Sequence, residues 1–119
     1  MRSLHAHWAW VALVTNGVVG LWGLGLALVR RPADRPFRVG VRVAVTAMLI
    51  QIAFGFAAYG QGLRPGSDFH VFYGFLVLFT FAFAYIFRVK IERRPAAIWG
   101  VLLLFTMGLA IRAWANVAG

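Results

Sequence analysis

The sequence contains no cysteine, three acidic residues and few charges of any kind among its 119 residues. The lack of cysteine excludes disulfides, thiolate zinc sites, iron–sulfur clusters and covalent c-type haem attachment. Charged residues make up 13% of the chain and hydrophobic residues 62%. A soluble domain usually has about a quarter charged and roughly half apolar residues. The composition therefore predicts an integral membrane protein.

Charged residues are also missing from the middle of the apolar segments. A proton relay or an ion-coupled transport route therefore has no obvious carrier. The chain has no His-Glu-x-x-His motif and no recognisable nucleophile–base pair. We predict no catalytic residue, and the sequence leaves enzymatic activity open.

Four apolar segments, separated by turns rich in proline, glycine and arginine, predict an all-α membrane bundle of four helices. The predicted spans are residues 8–29, 39–60, 69–87 and 96–117, within a single membrane domain of residues 1–119. These spans use most of the chain. Any function must then lie between the helices or at their ends.

The positive charges predict the orientation of this bundle. Nine of the twelve Lys and Arg residues lie in or next to the first and third connections. Their short clusters are typical of cytoplasmic loops rather than of a nucleic-acid groove. We therefore expect both loops to be cytoplasmic and both termini to be outside, in a cell membrane, with the lipid bilayer rather than nucleic acid as the partner. Heavy use of arginine over lysine suggests a bacterial source.

The chain contains an approximate internal repeat. Residues 30–33 and 93–96 both read Arg-Arg-Pro-Ala, and each copy begins 23 residues after a histidine, His7 or His70. We interpret this as two helical hairpins related by duplication, which would bring equivalent positions together. The alternative is that basic turns with proline recur independently in membrane proteins.

All three histidines, His5, His7 and His70, lie toward the predicted outer face. His7 and His70 open the first and third helices, which are diagonal or nearly so in a four-helix bundle. Two imidazoles facing each other there could ligate a haem iron from both sides, or share a smaller metal. The alternative is that the histidines are solvated at the interface, and we expect His5 to lie in water.

Other residues are compatible with a porphyrin nearby. Gly74 lies one turn from His70, where its missing side chain would admit a ring. Arg112 and Arg64 lie on the outer side and could pair with haem propionates. Equally, glycines such as Gly17 and Gly20 allow close helix packing, and Arg112 could reach the interface by snorkelling.

Two amide side chains, Asn16 and Gln51, fall near mid-membrane. An unpaired amide is costly there, so we expect each to bond another helix. Contact with a quinone or other substrate is the alternative for these residues.

The arrangement resembles one four-helix half of the haem A synthase family. The similar features are a histidine opening a helix at residues 7–10, Gln-Ile-Ala-Phe-Gly at 51–55, and Phe-His-Val-Phe-Tyr-Gly at 69–74. The resemblance implies paired histidines, His7 and His70, as axial haem ligands. The family's catalytic half has a glutamate one turn before the first histidine, where this chain has Ser3 and Leu4. Only one half of the family's arrangement is present, so the family's haem hydroxylation chemistry is not implied.

The sequence therefore predicts a small multi-pass membrane protein that binds haem b through His7 and His70 near the outer face. Its expected role is electron transfer, with a quinol or a respiratory complex as partner, or haem handling. The alternative is a cofactor-free accessory or assembly subunit of a larger membrane complex.

Overall fold

The computed structural model describes residues 2–60, 62 and 68–118. Every element in this part of the chain is a helix, and the prediction of an all-helical chain with four long helices is confirmed. The helices are α1 (Arg2–Leu28), α2 (Arg35–Gly60), α3 (Asp68–Ile86), α4 (Arg88–Ile91) and α5 (Pro95–Ala118). The single-turn helix α4 was not predicted, and it lies in the basic connection between α3 and α5.

Local sequence explains where the helices at the basic end begin and end. The backbone N–H of Phe37 donates to Oδ1 of Asp34 at 3.0 Å, so Asp34 caps α2. Helix α1 ends where Arg30 takes a φ of 58° and the N–H of Arg31 donates to the carbonyl of Leu26 at 2.8 Å. Helix α5 begins at Pro95, because proline is well tolerated at a first helical position.

The four long helices form a bundle in which α1 packs against α2 and α5, and α5 packs against α3. Helices α1 and α3 are diagonal, and α2 and α3 barely touch. Helices α1 and α5 pack closely at glycines. A Cβ atom on Gly100 would lie 2.9 Å from the carbonyl oxygen of Gly20, and one on Gly17 would lie 2.8 Å from Sδ of Met107. For Gly17 and Gly20, the alternative prediction that glycines allow close helix packing is confirmed.

Three described segments are long and apolar enough to cross a membrane: His5–Leu28, Arg35–Gly60 and Pro95–Ala115. The third predicted span, residues 69–87, corresponds to His70–Ile86, an apolar helical segment that is shorter than these three. The molecule measures 47 × 24 × 21 Å, and large apolar side chains cover its outside. Leu21, for example, is 64% exposed, and it belongs to a helix that is almost entirely apolar.

Candidate functional site

The histidine that meets His70 is His5, and the expectation that His7 faces His70 is wrong. Nε2 of His5 lies 3.4 Å from Nε2 of His70, with the two rings at 88° and their centroids 5.6 Å apart. His7 is exposed. At 100° per residue, His5 and His7 point to nearly opposite faces of α1, so only one can face the interior.

The buried face of α1 identifies the correct histidine. Ala12, Asn16 and Val19 are buried along this face. His5 precedes Asn16 by eleven residues, about three turns, so it shares that face, whereas His7 precedes it by nine residues and lies opposite. The position of Asn16 in the middle of the span was therefore the sequence signal that could have identified His5, rather than His7, as the inward-facing histidine.

Each imidazole of the pair is held by a backbone carbonyl of a further helix. Nδ1 of His5 lies 3.2 Å from the carbonyl oxygen of Gln51 on α2, and Nδ1 of His70 lies 2.9 Å from that of Ala113 on α5. All four long helices therefore contribute to this cluster. Histidines that ligate metals typically donate the N–H of the non-ligating nitrogen to a carbonyl or carboxylate in this way.

These hydrogen bonds determine what the two facing nitrogens can do. A carbonyl oxygen only accepts, so Nδ1 carries the proton in both rings, and in a neutral imidazole Nε2 then carries a lone pair. Two lone pairs 3.4 Å apart repel each other. A cation between the two nitrogens would remove this repulsion, either as a proton that makes one ring an imidazolium or as a metal ion bound to both rings.

The neighbouring helix faces offer space around the pair. A Cβ atom on Gly55 would lie 3.1 Å from Cε1 of His5, so this glycine makes room for the imidazole. On α3, His70 and Gly74 lie on the same face as Val77 and Phe81, which are buried. Within the described part of the chain, no atom beyond the neighbouring turns of α3 itself lies within 4 Å of a Cβ placed on Gly74. Space therefore remains on the inward face of α3, one turn below His70.

The two amide side chains differ in their partners. Asn16 is fully buried, donates to the carbonyl of Ala44 on α2 at 3.0 Å, and accepts from the hydroxyl of Thr106 on α5 at 2.9 Å. The prediction that Asn16 joins helices is confirmed. Oε1 of Gln51 is buried and has no hydrogen-bond partner among the described residues. The turn of α2 that holds His5 thus also contains an unused acceptor.

The predicted arginines fall differently. Arg112 is exposed on α5, next to Ala113, whose carbonyl accepts from His70, and therefore lies at the same end of the bundle as the histidine pair. Arg64 lies outside the described residues. Groups of three or more His, Cys, Asp or Glu side chains that could hold a metal do not occur in the described ranges. The candidate site there offers two imidazole ligands.

Comparison with known proteins found no matching family model, no matching curated protein and no matching solved structure.

Proposed function

We propose that this protein is a four-span membrane bundle that binds haem b between His5 and His70, near the end opposite the basic loops. The observation that carries the proposal is the pair of facing Nε2 atoms, each on a ring whose Nδ1–H is already donated to a carbonyl. Two imidazoles suffice for a haem, because the porphyrin supplies the other four nitrogen ligands.

The dimensions support an iron between the rings. A metal–imidazole bond is about 2.0 Å long, so two axial nitrogens lie about 4 Å apart. The observed separation of 3.4 Å would have to increase by less than 1 Å. The weak contact between α2 and α3, together with the space at Gly74, supports room for the porphyrin ring.

Two axial histidines fill both open positions of the iron, which favours electron transfer over chemistry on a bound substrate. The proposed partner is a quinol or a respiratory complex that exchanges electrons with the haem. Haem handling is compatible with the same site, because a site at the end of the bundle is close to the interface. Arg112 is at the appropriate end to pair with a propionate.

The test is an absorption spectrum of the purified protein, expressed with a haem supply, in the oxidised and reduced states. We expect sharp low-spin bands that are lost in His5→Ala and in His70→Ala. His7→Ala is the matched control, since it removes an exposed imidazole two residues away, and it should keep the bands. A colourless but folded wild-type protein would instead indicate the cofactor-free accessory subunit.

A further inference from the structure

The two Arg-Arg-Pro-Ala motifs meet at the basic end of the bundle. Residues 30–33 follow α1, residues 93–96 lead into α5, and all eight line one open cavity of about 840 Å³. Arg38 and Glu92 complete its polar wall. Motifs separated by 63 positions in the sequence thus form one site, which the histidine pair at the other end does not involve.

The charges in this cavity are not balanced by protein groups. Glu92 pairs with Arg38, with an N–O distance of 2.9 Å. Within the described part of the chain, Glu92 is the carboxylate in the cavity wall, and its ion pair is with Arg38 rather than with any of the four motif arginines. These are Arg30, Arg31, Arg93 and Arg94. The cavity is therefore strongly positive, and the first turn of α5 in its wall adds the positive end of a helix dipole.

The backbone at Arg30 is a second, independent observation. Its φ of 58° lies in the left-handed region, where glycine normally ends a helix because it has no Cβ. An arginine at this position costs roughly 1 kcal/mol in backbone strain. Arg30 is one of the residues that line the cavity. An arginine at a position suited to glycine supports a role for its guanidinium in the cavity.

We propose that this cavity binds the headgroup of an anionic phospholipid that carries two phosphodiesters, of the diphosphatidylglycerol type. Arginine pairs bind phosphate through bidentate hydrogen bonds, and two such pairs facing one cavity match a headgroup with two phosphates. Basic pockets between helices at the cytoplasmic side of membrane proteins bind such headgroups. The inference rests on the membrane placement proposed above but not on the haem.

The experiment measures lipid retained by the detergent-purified full chain, using native mass spectrometry after delipidation and titration. The probes are diphosphatidylglycerol, phosphatidylcholine and inorganic pyrophosphate. We expect one tightly bound diphosphatidylglycerol, and binding that is at least about tenfold weaker in the double variant Arg31→Gln/Arg94→Gln. The control is Arg35→Gln/Arg88→Gln, which removes two charges at the same end but outside the cavity wall, and it should bind like wild type.

Arg30→Gly keeps the test decisive if the double variant folds poorly. Glycine relieves the backbone strain, so the lipid-free melting temperature should not fall, while binding of diphosphatidylglycerol should weaken. Equal binding by the cavity and control variants would overturn the proposal, as would pyrophosphate binding as tightly as the lipid. Spectra of the same samples separate the two proposals, because the cavity variants should keep any haem bands.

Discussion

Gly74 is the residue at which the space beside the histidine pair can be tested without altering a ligand. It lies on the inward face of α3, and no described atom beyond the neighbouring turns of α3 itself would contact a Cβ there. We predict that Gly74→Leu prevents haem binding by filling that space. Its apoprotein should melt no lower than wild type, because leucine favours a helix by roughly 0.8 kcal/mol over glycine.

The measurement for Gly74→Leu is the haem absorbance per protein, together with the melting temperature of the apoprotein. The matched control is Gly25→Leu, at a glycine near the other end of the bundle whose Cβ would also meet open space. That control should keep the haem bands. Full haem occupancy in Gly74→Leu would place the porphyrin elsewhere.

At the residue scale, the sequence predicted that a histidine of the first helix meets a histidine of the third, but it selected the wrong residue on the first helix. His70 is in the cluster, but His5 rather than His7 is its partner. The repeat spacing favoured His7, whereas the helical phase relative to Asn16 selects His5. The backbone carbonyls of Gln51 and Ala113, which orient the rings, could not have been predicted, because every residue has a carbonyl and only packing between helices decides which one meets an imidazole.

At the scale of the helices, the contact between α1 and α5 depends on glycine. A Cβ on Gly100 would lie 2.9 Å from both the carbonyl oxygen of Gly20 and the backbone nitrogen of Leu24. Since backbone atoms cannot rotate away, Gly100→Ala should force the helices apart and destabilise the fold by about 1–3 kcal/mol. Thermal unfolding in detergent measures this effect. The control Gly25→Ala has open space around the new methyl and should be neutral or stabilising, and a similar loss in both variants would refute the close-packing argument.

The ion pair between Arg38 and Glu92 joins the start of α2 to the segment after α4. The hydrogen bond from Arg38 lowers the pKa of Glu92 below its ordinary value of 4.5. Folding is therefore favoured by the ionised carboxylate. This stabilisation is complete above the ordinary value and is lost as the pH falls through the lower, folded-state pKa.

We predict that the melting temperature falls more between pH 6 and pH 3 in the wild type than in Glu92→Gln. The side chains are 43% and 51% exposed, so solvent screening limits the difference to about 0.5 kcal/mol. Parallel pH profiles of the two proteins would show that the pair contributes nothing to folding.

The helices themselves were largely predictable, because apolar length and helix-breaking turns are local properties of the sequence. The prediction missed their extensions beyond the apolar segments, since arginine-containing ends such as Arg35–Pro36 continue a helix once Asp34 has capped it. It also missed α4, where the carbonyl of Phe87 accepts from Ile91 in a short turn. Charged residues do not form an apolar pattern, so periodicity could not identify that turn.

For the whole molecule, the two ends have different chemistry. One end contains two facing imidazoles, and the other contains the arginine-lined cavity, with the apolar length of the bundle between them. Such a molecule places its two polar sites at opposite membrane faces only if α3 crosses the bilayer. The described apolar part of α3, His70–Ile86, is shorter than those of the other three long helices. The number of membrane crossings therefore decides whether the basic cavity can form at the membrane face opposite the histidine pair.

Labelling of introduced cysteines can determine the number of membrane crossings, because the sequence has no cysteine of its own. Gly60→Cys reports the end of α2, where a Cβ meets open space, and Val89→Cys reports α4, at a residue that is 76% exposed. Neither change removes a charge. With four crossings, an impermeant maleimide added to intact cells should label position 60 but not position 89, which should react only after lysis. If α3 stayed on the outer surface, both positions would react in intact cells. Residues 93–96 would then lie across the membrane from residues 30–33, and the two motifs could not share one cavity.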